Sequence, residues 1–223
     1  MELTGKRILL VGGNTGIDKA IINQLFDLGA SVSIYEELDV LCIESGIKTL
    51  INEGGAFDGI VFAIIHSDFK PLRFVKPSNV QSIMNDNFNV FIEVIRSLKK
   101  NKGLNNKSSI VAISSISSIR AMKAKMIFSA SKAALDAAIR CLALELADNG
   151  IRINSVLKGV VDTDFEKLHI QDIAAINEGS TESKQVLGIT RATEIANLVS
   201  FLLSDATETM TGTSIVIDGG YTL

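Results

Sequence analysis

Short apolar runs recur along the chain, and the segments between them carry apolar residues at helical spacing. This alternation is the pattern of repeated βα units around a parallel sheet. Residues 8–11 form the first run, and Gly12, Gly13 and Gly16 follow it before a helix predicted to reach about Leu28. Residues 31–35 read as a second strand ending in Glu36 and Glu37. The uninterrupted run 60–65, bounded by Gly59 and His66, suits a central strand buried on both faces. Met84, Phe88, Phe91, Ile95 and Leu98 step by four, three, four and three, one face of a long helix. Residues 110–113, 151–157 and 214–217 read as further strands, and 129–146 and 194–203 as helices.

One stretch breaks the rhythm. Too few residues separate the second strand from 38–41 for the crossover helix that a parallel neighbour needs. A helix fits later, with Ile43, Ile47, Leu50 and Ile51 on one face, so a trimmed or irregular edge is expected at 36–45. Pro71 and Pro77 lie close together, and neither a low-complexity linker nor an internal repeat marks a boundary. The expected architecture is therefore one α/β domain over residues 1–223: a Rossmann-type, doubly wound parallel sheet in three layers.

Composition narrows the picture. Of 223 residues 47% are hydrophobic but only 5% aromatic, so Ile, Leu, Val and Ala must fill the core. A net charge of -3 offers no general attraction to nucleic acid. Cys42 and Cys141 exclude a disulfide framework and a zinc knuckle, and are expected to be reduced thiols in the core of a cytoplasmic protein. No apolar run reaches bilayer-spanning length, and none near the N-terminus suits a signal peptide.

Candidate chemistry starts at Gly12-Gly13-Asn14-Thr15-Gly16-Ile17-Asp18, which leaves a strand and opens a helix. Glycines there permit a tight turn, and the helix N-terminus offers amides to a dinucleotide pyrophosphate. Asp18 stands where a further glycine would complete the motif. Its charge suits the helix dipole by about 0.3–1 kcal/mol. Against a pyrophosphate about 4 Å away it would repel by about 1 kcal/mol in water and about 4 at an intermediate dielectric. Glu36 ends the second strand, where an acid takes the adenosine ribose hydroxyls, and with Glu37 it favours NAD over NADP.

Further on, Ser115 is followed by Phe128-Ser129-Ala130-Ser131-Lys132, and Asn87 stands in Asn85-Asp86-Asn87-Phe88. Residues 150–154, Thr211-Gly212 and Asp218-Gly219-Gly220 follow at matching intervals. Together these resemble the short-chain dehydrogenase/reductase family over nearly the whole chain, with the type of the 3-oxoacyl-carrier-protein reductases most similar. The resemblance implies a tyrosine that passes a proton to or from the substrate oxygen and a lysine that lowers its pKa and holds the nicotinamide ribose. It also implies a serine that orients the carbonyl and an asparagine that anchors a relay water. Ser115, Lys132 and Asn87 match those roles; Phe128 holds the tyrosine position without a hydroxyl. The resemblance further assigns Gly12, Asn14, Thr15, Gly16, Ile17, Glu36, Asp39, Val40, Ala63, Lys132, Val161 and Thr163 to a nucleotide, and no residue to a metal. It implies a homodimer or homotetramer that pairs the helices of Phe91 and Ala137.

The departures leave two readings. Tyr35 and Tyr221, the two tyrosines, lie at no helical spacing from Lys132, and Lys125 and Met126 hold wider-spaced positions used in related reductases. Tyr221 reaches a site only from a neighbouring subunit's tail. Ser129 and Ser131 turn away from the face shared by Phe128 and Lys132. Phe62-Ala63-Ile64-Ile65 replaces the family's Asn-Asn-Ala-Gly turn, Ile65 crowds the adenosine side, Val11 replaces a threonine, and Lys158 replaces a proline and partly offsets Asp18. His66 and His169 are two candidate proton donors whose ordinary reading is as surface histidines. The chain is expected to be an NAD(P)-dependent oxidoreductase on a small carbonyl or secondary alcohol, with activity weakened or lost and nucleotide affinity reduced. The alternative is a non-catalytic binding or scaffold subunit of the same fold.

Overall fold

The computed structural model describes residues 2–164 and 185–223. Strand β1 (Arg7–Val11) leads through the glycine loop into helix α1 (Gly16–Asp27), and β2 (Ser31–Tyr35) into α2 (Val40–Gly54). Strand β3 (Phe57–Phe62) is followed by α3 (Pro77–Met84), a π turn (Asn85–Asn89) and α4 (Val90–Lys100). Strand β4 (Leu104–Ser115) leads by a 3₁₀ turn (Ile116–Ser118) to α5 (Met126–Leu146) and β5 (Arg152–Lys158). The two-residue strands β6 (Val161–Asp162) and β7 (Thr190–Arg191) pair with each other, before α6 (Ala192–Leu203) and β8 (Ser214–Ile217).

The main sheet runs β2-β1-β3-β4-β5-β8, every pair parallel. Alternation along each strand builds the layers. Leu9, Ile60, Phe62, Ile110 and Ala112 face one side with α2, α4 and α5. Ile8, Leu10, Val61, Val111 and Ile113 face the other with α1 and α6. Buried aliphatic side chains of this kind contribute about 1.5–3 kcal/mol each. This is the three-layer, doubly wound fold expected. Chain order reverses between β1 and β3, and in such sheets the crevice beyond the strand ends at that point receives ligands.

Several boundaries differ from the sequence expectation. The central strand covers 57–62, and residues 63–65 leave the sheet although they continue the apolar run. Hydrophobicity records their burial, but not the strand's end. The irregular edge is confined to residues 36–39, because Asp39 caps α2, its carboxylate accepting from the Leu41 amide at 3.0 Å. No strand lies beyond β2 among the described residues, so the edge is trimmed as expected. The long helix through Met84 and Leu98 is interrupted by the π turn. Cys42 and Cys141 are exposed rather than in the core, since each sits on the outer face of its helix. Among the described residues no helix is long and apolar enough to cross a membrane. His169 and most of the loop expected to cover a substrate lie outside the described residues.

Candidate active site

The glycine loop closes on itself. Gly12 and Gly13 have φ of 128° and 139°, which L side chains rarely adopt. A Cβ on Gly13 would stand 3.0 Å from Ile34 Cγ2 and 3.2 Å from Glu36 Oε1, placing the Glu36 carboxylate beside the loop. Ala63 packs on Gly12, and Thr163 on Gly16. Thr15 caps α1: its hydroxyl accepts from the Asp18 amide at 3.2 Å, and Asp18 Oδ2 accepts from the Thr15 amide at 3.0 Å.

Asp18 also accepts from the Gly13 amide at 3.0 Å. It is 2% exposed, so the carboxylate turns inward to bind its own loop rather than outward against a ligand. Burial raises its pKa, and the loop's amides oppose the rise. Asp18 thus takes two amides that a loop with glycine here would leave open. The amides of Gly16 and Ile17, first in the helix, have no acceptor within it and remain suited to a pyrophosphate. The loop therefore fits a dinucleotide, at the cost of competition from Asp18.

The second half of the site gathers at the ends of β3, β4 and β5. Ser115 ends β4 opposite Lys158 of β5. Its Oγ accepts from the Ser117 amide at 3.1 Å, which leaves the hydroxyl proton to donate. Phe128 and Lys132 lie four residues apart on α5 and share a face. Lys132 is 0% exposed, and its Nζ donates to the carbonyls of Ile64 at 2.9 Å and Ile113 at 3.1 Å. Burial, reinforced by nearby Lys158 and opposed by Asp136, lowers its pKa to about 7. Lys158 thus acts electrostatically on Lys132.

Asn87 lies in the π turn, where the extra residue in the helical path turns it into the interior. Its Oδ1 accepts from the His66 amide at 2.9 Å, and its Nδ2 donates to the His66 carbonyl at 2.7 Å and to Ser131 Oγ at 3.0 Å. Ser131 in turn donates to the Phe128 carbonyl at 2.8 Å. The side chains of Asn87 and Ser131 therefore brace the loop after β3 against α5. The His66 ring is half-exposed, with Nδ1 2.6 Å from Asp86.

Tyr221 lies in the C-terminal segment after β8. It is buried in its own chain against Ile116 and Leu157, with the Arg120 guanidinium over its ring. Its packing is on the 3₁₀ turn that follows Ser115. Sequence reasoning also missed a contact: the Lys125 ammonium lies 5.1 Å from the Phe128 ring centroid and 4.2 Å from that of Phe69. The three-residue step from 125 to 128 carried that signal, but the position of Phe69 did not show in the sequence.

Residues 19–222 match the sequence profile of the family described as enoyl-(acyl carrier protein) reductase. The L-xylulose reductase of Caenorhabditis elegans is 30% identical over 244 positions, covering 99% of this chain and 97% of that protein. The 3-oxoacyl-acyl-carrier-protein reductase of Vibrio harveyi is 26% identical, over 99% of this chain and 98% of its own. Both alignments are longer than this 223-residue chain, so these relatives carry residues that it lacks. A short-chain dehydrogenase family protein of Francisella tularensis superposes with a TM-score of 0.84 at 27% identity, covering 97% of this chain and 98% of that one. With its parallel sheet, its glycine loop after β1 and the Ser115–Lys132 cluster, the chain belongs to the short-chain dehydrogenase/reductase family.

Proposed function

We propose that the chain is an NAD(P)-linked oxidoreductase that interconverts a carbonyl and a secondary alcohol, at a rate held down by Phe128. The observation that carries this reading is Lys132, fully buried yet retained. A lysine lowers its own stability contribution when taken out of water, and a core position without chemistry is served better by an apolar side chain of that size. Here it stands one turn from Phe128, near the end of the strand that carries Ser115.

In this reading the amides of Gly16 and Ile17 receive the pyrophosphate, with Asn14 and Thr15 lining its path. Glu36 takes the adenosine ribose hydroxyls, and Asp39, Val40 and Ala63 border the adenosine. Val161 and Thr163 lie toward the nicotinamide. The carboxylate of Glu36 beside Gly13 would repel a 2′-phosphate, which supports NAD over NADP. The bound nicotinamide supplies or accepts a hydride. Lys132 holds the ribose, Ser115 orients the substrate oxygen by donating a hydrogen bond to it, and Asn87 keeps the loop after β3 in register with α5. Family membership supports a small-molecule substrate and a homodimer or homotetramer, and the reading is of a cytoplasmic enzyme.

A second reading, a non-catalytic binding subunit, draws on the Asp18 carboxylate held by the loop's amides and on the missing hydroxyl at Phe128. Two measurements separate them. NADH at about a hundred times its Kd stabilises a binding protein by about 2.7 kcal/mol, seen as a rise in Tm. Phe128→Tyr is expected to raise turnover of L-xylulose or D-erythrulose with NADH at least tenfold, since a positioned acid supplies about 10²–10⁴-fold. No melting shift with NADH or NADPH, together with no turnover by Phe128→Tyr, would favour the binding subunit.

A further inference from the structure

We propose that Lys125 is the acid and base of this site, standing in for the absent tyrosine hydroxyl. The assignment rests on the oxidoreductase reading above and adds the group that moves the proton. Lys125 is the N-cap residue just before α5, and Phe128 and Lys132 follow on the first turns of the helix, sharing one face. Lys125 lies three residues before Phe128 in the chain. Its four-carbon stem spans this step, and the ammonium ends over the Phe128 ring, 5.1 Å from the centroid.

The other wall is Phe69, 4.2 Å from the same nitrogen, on the loop that follows β3. That loop is fixed to the start of α5 by the Lys70 amide, which donates to the Ala124 carbonyl at 2.8 Å. Lys125 is itself buried, at 9% exposure. Two aromatic faces hold an ammonium by cation–π attraction, which strengthens where water is excluded. The charge is thus both confined and directed, beside the side chain that lost its own proton.

An ammonium, like a phenol hydroxyl, carries a proton that it can give to an oxygen and take back. In reduction, the new C–H bond at the carbonyl carbon takes its hydride from the reduced nicotinamide nucleotide. The C=O π pair moves to oxygen, and the Lys125 N–H bond breaks as that oxygen takes the proton. The products are the alcohol, the oxidised nucleotide and a neutral amine, which water reprotonates. In oxidation the neutral amine accepts the hydroxyl proton as hydride leaves the carbon.

The test compares wild type, Lys125→Met, Phe128→Tyr and the double variant, with L-xylulose and D-erythrulose as probes and NADH or NADPH as reductant. Lys125→Met keeps the length of the stem, and Lys125→Gln is the second choice if that protein does not fold. The expected result is turnover by wild type, a fall of at least a hundredfold in Lys125→Met with nucleotide Kd unchanged, and recovery when Phe128→Tyr is added. A crystal of the protein with oxidised nucleotide and a ketone probe gives a readout free of turnover. The ketone oxygen should lie within hydrogen-bond reach of Lys125 Nζ, about 2.6–3.2 Å. Turnover in Lys125→Met within threefold of wild type overturns the assignment, as does activity that appears only with Phe128→Tyr. Absence of nucleotide binding, or of turnover by every variant, would instead sink the oxidoreductase reading, and this assignment with it.

Discussion

A single oxygen atom separates Phe128 from the tyrosine that the family resemblance leads one to expect, and its neighbours on α5 are set out by the fold. Lys132 keeps its place, 0% exposed and bonded to two backbone carbonyls. Because burial lowers its pKa from 10.5 to about 7, the folded protein binds fewer protons than the unfolded chain between those values. Stability therefore rises with pH across that window, and the cost of the buried charge is fully present below it. Lys132→Met removes the titration. Thermal unfolding of both proteins from pH 6 to 10 should show the balance shifting toward wild type as pH rises. A difference in Tm that stays constant with pH would show that the lysine titrates normally.

At the scale of elements, local pattern and tertiary setting pull apart in the helix that carries Asn87. Its apolar residues repeat at helical spacing from Met84 to Leu98, which is legible in the sequence, but the π turn at Asn85–Asn89 is not. The turn is held by what Asn87 meets across the cleft, the backbone of His66 and the hydroxyl of Ser131. The glycine loop shows the same division. Its position after β1 could be read, and so could the dipole preference of Asp18, but not the direction of that carboxylate. Asp18→Gly should cost about 1 kcal/mol, since glycine enters the first turn of α1 and half of the capping box is lost. The amides of Gly13 and Thr15 would be released at the same time, and NADH affinity measured by calorimetry should rise at least tenfold. A protein that is less stable but no tighter in binding would show that these amides never meet the nucleotide.

At the scale of the whole molecule, helices α4 and α5 present a crevice lined by Ile92, Ile95, Leu142 and Leu146, with Arg96 and Lys99 at its border. Leu144 on α5 is 81% exposed. The family likeness predicts that this side pairs with a second copy. Phe91, on the inner face of α4, is buried in T-shaped contact with Phe62 at 5.2 Å. Leu142→Glu should convert a dimer or tetramer to monomer in light scattering, with the fold retained by circular dichroism. A wild-type protein that already sediments as a monomer would remove the expectation.

The sequence by itself determined the class of fold, because period-two and period-3.6 hydrophobicity are local properties, each strand and helix recording which of its faces must leave water. It also determined which chemical groups are present, since Phe128 carries no hydroxyl in any conformation. Only the tertiary structure decided what those residues do to one another. The Lys132 ammonium acquires its low pKa from elements distant in the chain. Phe69 and Phe128 come together around Lys125 because the loop after β3 folds back on α5. Such encounters depend on chain crossings between sheet and helix, and a linear pattern of polar and apolar residues does not encode distances across them.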